Sequence, residues 1–80
     1  MPASKEDYAK LVQQRIRDAR LAKHLRQIDV ADRMNIGERE YQRLERASSK
    51  GFNPTLETLR VLMLALELEP NDLLLEPEEI

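Results

Sequence analysis

The stretch LRQIDVADRMNIGEREYQRLER, residues 25–46, decides the fold, because it holds two apolar patterns of helical period separated by a tight turn. Its first half carries the apolar face of one short helix: Ile28, Val30, Ala31 and Met34. Asn35 tolerates positive φ at low cost and suits the turn, and Gly37 suits the start of the next helix. Tyr41 and Leu44 then share an inner face. The stretch predicts two short helices joined by roughly three or four residues, a helix-turn-helix unit.

The flanking sequence predicts three more helices. Ser4 suits the N-cap of a first helix that runs to about residue 23. The apolar residues of that helix recur every three or four positions: Tyr8, Leu11, Val12, Ile16 and Ala19. Thr55 suits the N-cap of a fourth helix. That helix is predicted to run through Leu56, Leu59, Leu62, Ala65 and Leu66. Pro70 suits the first position of a short fifth helix, because its missing N–H is no loss there.

Together these patterns predict an all-α fold of five helices with an extended first helix. We expect one domain over residues 1–80, ending in an acidic tail at residues 76–80. A chain of this length buries only a modest core, so its stability is expected to depend on helix packing or on a partner.

Cysteine usage and the N-terminal sequence exclude several classes of protein. The chain has no cysteine and one histidine, His24. Neither a disulfide framework nor a thiolate metal site is therefore available, and a single histidine does not make a metal site. We expect no metal and no cofactor. The first seven residues turn polar at once, without the apolar run of a signal peptide or a membrane span, so we expect a cytoplasmic protein with no membrane contact.

The formal net charge of −2 averages over two halves of opposite sign. Residues 1–50 hold 12 Lys or Arg and 8 Asp or Glu, whereas residues 51–80 hold 1 and 7. A basic half permits a surface that faces DNA, provided that its cations share one side of the fold. Scattered, solvated charges are the alternative.

Five short motifs occur in a fixed order along most of the chain: Leu25-Arg26-Gln27, Val30-Ala31, Asn35-Ile36, Leu44-Glu45-Arg46 and Asn53-Pro54-Thr55-Leu56-Glu57-Thr58-Leu59. In this order and spacing the chain resembles the Xre class of helix-turn-helix regulators, which includes the phage repressors and Cro proteins. The resemblance covers about Ile16 to Leu74. It implies a five-helix, repressor-like DNA-binding domain in which residues 26–46 engage double-stranded DNA.

The resemblance also implies roles for residues around the start of the second helix. Gln27 matches a glutamine that binds a DNA phosphate, where an amide and a helix N-terminus together hold the anion; an exposed glutamine without that role is the alternative. Arg20 and Glu45 match an ion pair that ties the first helix to the third and serves alignment more than stability. Three cations beside the unit suit further phosphate contacts: Arg26, Arg46 and Lys50.

Four side chains of the third helix match the positions that face the major groove in this family: Glu38, Arg39, Gln42 and Arg43. Arginine reads guanine, glutamine reads adenine, and glutamate can accept from cytosine. This face therefore has the chemistry for discrimination between base pairs. The alternative is the solvated surface of an ordinary helix.

The sequence departs from the family pattern at several glycine positions. Ala47 stands where a glycine usually ends the third helix, and the loop that follows is longer than usual, which puts the family's loop contacts with phosphates in doubt. His24, Asn35 and Glu67 also replace residues that are most often glycine. We expect Asn35 to be an easy replacement and the fourth helix to end differently at Glu67.

Val61 and Leu64 fall at positions that the family usually leaves polar. Together with Leu68 and Leu75 they extend an apolar stripe that is wider than one small core requires, which predicts a homodimer interface. The alternative is that the longer first helix, through Tyr8 and Leu11, folds back and covers them.

Two functions from different classes follow from these patterns. The first is a transcription regulator that binds, as a homodimer, a two-fold symmetric operator. The second is a protein-interaction module such as an antitoxin or an adaptor, which the acidic second half and the surplus leucines favour. An enzyme is not expected, because the sequence offers no nucleophile-base pair, metal-ligand cluster or phosphate-binding glycine loop. Asp29 and Asp32 have the spacing of a pair of catalytic carboxylates, but on a short exposed helix we expect them to be solvated or ion-paired.

Overall fold

The computed structural model describes residues 4–46 and 51–76, and in these residues the chain forms five α-helices and no β-strand. The helices are α1 (Lys5–Ala22), α2 (Gln27–Met34), α3 (Glu38–Glu45), α4 (Leu56–Leu66) and α5 (Pro70–Leu74). The expected all-α architecture with a long first helix is therefore confirmed. No described helix has both the length and the apolar character needed to cross a membrane.

The ends of the helices follow local chemistry. Ser4 Oγ accepts a hydrogen bond from the backbone N–H of Asp7 at 3.1 Å and so caps α1. Thr55 Oγ1 caps α4 in the same way, accepting from the N–H of Thr58 at 3.1 Å. Pro70 is the first residue of α5, where its ring is already shaped for a helix. These caps fix where α1, α4 and α5 begin.

One apolar core lies between all five helices. It contains Val12, Ile16, Val30, Ala31, Met34, Tyr41, Leu44, Leu62, Ala65, Leu66 and Leu73. Tyr41 is fully buried, so it anchors α3 against α1 and α2. α4 packs on α2, and α5 packs on α1. This arrangement leaves the outer faces of α3 and α4 open to solvent.

The joint between α1 and α5 accounts for the extended first helix. Arg15 donates from Nη1 to the carbonyl oxygens of Leu73 (3.0 Å) and Leu75 (2.7 Å), which α5 leaves without helical partners. The Tyr8 hydroxyl donates to the carbonyl oxygen of Leu74. The first helix therefore packs against α5 and does not cover the outer face of α4, where Leu64 is 67% exposed. The alternative in which Tyr8 covers that residue is wrong.

The fourth helix runs through Leu56 as predicted, but Leu56 does not reach the core. As the first residue of the helix it is 82% exposed. The other four apolar residues named for this helix contact the core: Leu59, Leu62, Ala65 and Leu66. Leu56 lies three residues before Leu59, but it is in the first turn of the helix, where no element of the described ranges 4–46 and 51–76 covers it.

In the described part of the chain, three non-glycine residues adopt the left-handed conformation that ends helices. They are His24 (φ 57°), Asn35 (φ 58°) and Glu67 (φ 56°). Asn35 closes α2 as the predicted tight turn. Glu67 ends α4 with the same backbone conformation that glycine adopts at helix ends, so the expectation that α4 ends differently is wrong. These helix ends thus have the left-handed backbone geometry that is typical of glycine. Because the residues there have a Cβ atom, that geometry is strained.

We predict that Glu67→Gly is more stable to unfolding than Glu67→Ala by about 1 kcal/mol, because alanine keeps the left-handed strain that glycine lacks. Both variants lose the exposed Lys23–Glu67 ion pair, whose nearest N and O atoms are 3.6 Å apart, so the comparison isolates the backbone. Urea denaturation measures the difference. Equal stability of the two variants would show that the left-handed conformation of residue 67 carries no cost.

Candidate nucleic-acid interface

The outer face of α3 carries four exposed polar side chains in two pairs spaced by one turn. Glu38 and Gln42 form one pair, and Arg39 and Arg43 form the other. Their positions follow from the inner face, where Tyr41 and Leu44 are buried. The four residues predicted to read bases therefore lie together on one exposed face.

An open cleft of about 800 Å³ lies beside this face, between α1, the start of α2 and α3. Its lining is mainly cationic and polar: Arg17, Arg20, Arg26, Gln27, Glu38, Gln42, Glu45 and Arg46. Three of the four residues predicted to bind phosphates line it. The fourth, Lys50, lies outside the described residues, as does Ala47. Arg17 was missed by the sequence reasoning, although its spacing of three from Arg20 places both on one side of α1.

Arg20 and Glu45 meet at the floor of the cleft. Arg20 donates from Nε to Glu45 Oε2 at 2.6 Å and from Nη2 to Glu45 Oε1 at 3.0 Å. Its Nη1 donates to the carbonyl oxygen of Leu25 at 2.9 Å. The side chains are 11% and 4% exposed. The bidentate pair raises the pKa of Arg20 and fixes α1, the segment before α2, and α3 relative to one another.

Two further donors reach the carboxylate of Glu45. The Tyr41 hydroxyl and Gln27 Nε2 (3.3 Å) both donate to it. Burial raises the pKa of a carboxyl, but the hydrogen bonds from Arg20, Tyr41 and Gln27 outweigh it and hold the pKa of Glu45 below its ordinary value. Burial and the neighbouring carboxylate raise the pKa of Tyr41, which stays a hydroxyl donor. Glu45 is therefore a charged acceptor with four donors around it.

Gln27 has two side-chain partners in the folded chain. Besides its bond to Glu45, its Oε1 accepts from Gln42 Nε2 at 3.2 Å. Gln42, predicted to read bases, thus turns toward the start of α2. The sequence had no signal for this contact, because the two residues are fifteen positions apart.

Arg26 lies at the mouth of the cleft with a side chain that is 79% exposed. It donates from Nη2 to Asp29 Oδ1 at 2.9 Å, and its backbone N–H donates to Asp29 Oδ2 at 2.7 Å. These bonds from Arg26 lower the pKa of Asp29. An exposed pair of this kind is weak, so a phosphate at the mouth of the cleft can compete for the guanidinium.

The residues predicted for a dimer interface lie on a different side of the chain. Val61 and Leu64 border one shallow surface concavity together with Arg33 and Glu67. Leu68 is half-buried against the core, and Leu75, at the end of α5, is 57% exposed. Leu56 and Leu64, eight positions apart, share the outer face of α4. In the described part of the chain no group of three or more potential metal ligands occurs.

Comparison with known proteins assigns this geometry to a family. A helix-turn-helix family model, of the type that includes the Xre, Cro and C1 proteins, matches residues 16–73. The matched range begins in α1, before the cleft residues, and ends in α5, so it includes all of α2, α3 and α4. No curated protein and no solved structure matches the chain.

We predict that the Arg20–Glu45 pair makes the fold sensitive to acid. Because the folded pKa of Glu45 lies below its ordinary value near 4.3, the stabilisation is complete above that value and is lost as pH falls from there through the folded pKa. Urea denaturation of the wild type should therefore give a falling free energy of unfolding below about pH 4. Glu45→Gln should lack that component and be about 3 kcal/mol less stable at pH 7, because it leaves Arg20 buried without a counter-charge.

Glu57→Gln is the matched control, because Glu57 pairs with Arg60 at 2.7 Å on the exposed surface. It should leave the stability at pH 7 unchanged. Wild-type stability at pH 7 in Glu45→Gln would contradict the role assigned to the buried pair.

Proposed function

Because the chain belongs to the helix-turn-helix family of the Xre, Cro and C1 type, we propose that it is a sequence-specific regulator of transcription that binds DNA as a homodimer. The role is one of binding rather than of catalysis: the chain occupies an operator and so blocks or recruits polymerase. Membership of this family indicates a DNA-binding domain. The proposal adds the operator, the dimer and the regulatory effect.

One observation carries the proposal: the exposed outer face of α3 adjoins a cleft lined by four arginines. This arrangement suits a DNA duplex, because the major groove is wide enough for an α-helix and cations beside that helix reach the flanking phosphate backbone. Among the described residues of the acidic second half, 51–76, none lines this cleft. The negative net charge is therefore compatible with DNA binding.

Within this proposal the residues divide into two classes. Arg39 and Arg43 read bases from the outer face of α3, with Glu38 beside them. The backbone contacts come from the cleft: Arg17, Arg26, Gln27 and Arg46. Base contacts set sequence preference, and backbone contacts set affinity and its dependence on salt.

The outer face of α4 is the proposed dimer surface. Leu64 and Leu56 are largely exposed there, and Val61 is half-buried beside them. Leu68 and Leu75, the other residues predicted for the interface, extend the apolar surface toward α5. Exposed leucines on one helix face are unfavourable in water, and a second copy of the chain would bury them. Two copies related by a two-fold axis would also match a symmetric operator.

The exposed leucines also favour a second candidate function. A protein-interaction module, such as an antitoxin or an adaptor, would use the same face of α4 to bind a different protein. In that case α3 would be dispensable for function, whereas the regulator requires it.

We predict that Arg39→Ala and Arg43→Ala each weaken binding to the preferred duplex by about ten- to a hundredfold, because each removes a bidentate contact to a base worth about 1–3 kcal/mol. Random-site selection with the wild type first identifies the duplex. Mobility-shift titrations of the variants then measure the loss, and the preference at the affected base pair should relax.

Lys5→Ala is the matched control, since it removes the same charge from the exposed start of α1, away from the cleft and from the outer face of α4. It should bind like the wild type. Selection of no sequence by the wild type would contradict the regulator, and retention of biological function by folded Arg39→Ala and Arg43→Ala proteins would favour the interaction module.

We predict that Leu64→Glu converts the dimer to a monomer, because a buried carboxylate at the interface lacks a partner. Sedimentation velocity, with and without the selected duplex, measures the mass. Leu21→Glu is the control, as Leu21 is 48% exposed on α1, and it should stay dimeric. A monomeric wild type on a duplex with two half-sites would contradict the dimer.

A further inference from the structure

Gln42 lies on the outer face of α3 but turns its side chain away from the position of a base reader. A glutamine that reads adenine uses its amide oxygen and its amide nitrogen together on one base edge. In this chain Gln42 Nε2 already donates to Gln27 Oε1 at 3.2 Å. The side chain therefore points along the cleft toward the start of α2.

Gln27 receives this bond and is held from its other side as well. Its Nε2 donates to Glu45 Oε1 at 3.3 Å. An amide nitrogen carries two hydrogens, and Glu45 takes one of them. The second N–H has no acceptor among residues 4–46 and 51–76, and Gln27 lines the arginine-rich cleft. One donor of Gln27 is thus available to an anion in the cleft.

The two partners also determine which way the amide faces. If the amide of Gln27 were flipped, its oxygen would face the charged carboxylate of Glu45, and its nitrogen would face the nitrogen donor of Gln42. Both contacts would be repulsive. Arg20 holds Glu45 in place through two hydrogen bonds. A chain of contacts from Arg20 to Gln42 therefore keeps the nitrogen of Gln27 on the side of Glu45.

We infer that Gln42 is a positioning residue for Gln27: it holds the Gln27 amide so that one N–H is presented to a DNA phosphate in the cleft. The role rests on the DNA binding proposed above, and it replaces the prediction that Gln42 reads a base. Gln42 acts through Gln27, so removing it matters only while Gln27 is present.

A double-mutant cycle with Gln27→Met, Gln42→Met and the double variant tests the inference. Methionine keeps the length of glutamine without its hydrogen bonds. The affinity of each protein for the duplex selected by the wild type is measured by fluorescence anisotropy. Each single variant should bind roughly two- to tenfold more weakly, as expected for one lost hydrogen bond. The double variant should bind no more weakly than Gln27→Met.

Two further readouts separate positioning from base reading and from loss of structure. Random-site selection with Gln42→Met should return the wild-type sequence preference at every position, whereas loss of a base reader relaxes one position. The dependence of affinity on salt should also keep the wild-type slope, because a neutral amide displaces no counterion. Circular dichroism confirms that Gln42→Met, a change on an exposed residue, melts like the wild type.

The outcomes are distinct. If the losses of the two single variants multiply in the double variant, or if Gln42→Met relaxes the preference at one base pair, Gln42 acts independently and the inference is overturned. If the wild type selects no sequence at all, the proposed DNA-binding function fails instead.

Discussion

The carboxylate of Glu45 is the point on which the helix-turn-helix unit depends. It lies at the end of α3, almost without exposure, and accepts from Arg20 on α1, from Tyr41 one turn earlier and from Gln27 at the start of α2. Desolvating a carboxylate and a guanidinium is expensive, and the pair recovers that cost only because every acceptor position is used. The pair aligns α1, α2 and α3 with one another, because each helix contributes a side chain that is hydrogen-bonded at this carboxylate in a defined direction.

This alignment links the core to the surface. Tyr41 is at once the largest fully buried side chain and a donor to Glu45, so the packing of α3 and the orientation of the carboxylate are set together. Rotation of α3 about its axis would break both. The outer face with Arg39 and Arg43 is consequently held in one orientation relative to the cleft, as a surface that reads a rigid duplex requires.

The sequence alone predicted the five helices because their apolar periods, caps and turn residues agree with one another. It also predicted which face of α3 is exposed, since Tyr41 and Leu44 define the opposite face. It failed where position depends on tertiary contacts. Leu56 fits the period of α4, yet it is largely exposed, because no described element covers the first turn of the helix. Glu67 ends α4 as glycine would, because the backbone there tolerates the left-handed cost.

For the candidate site, the sequence predicted most of the residues but not the contacts between their side chains. Helix periodicity predicted that Arg39 and Arg43 point outward, and the family resemblance supplied their expected role and the partners Arg20 and Glu45. Arg17 was missed because an exposed arginine on a long, charged helix has no distinctive pattern. The bond from Gln42 to Gln27 was missed because the direction of a side-chain amide depends on how α2 and α3 pack, which a one-dimensional pattern does not contain.

We propose that the network around Glu45 presents Gln27, and with it the cleft and α3, to DNA. Side-chain amide NMR of the ¹⁵N-labelled chain, titrated with the duplex that the chain selects, tests it most directly. We expect the signal of one of the two Gln27 side-chain N–H protons to shift strongly on binding, and that of the proton bonded to Glu45 to shift less. Unchanged Gln27 amide signals, together with shifts confined to α4, would contradict it.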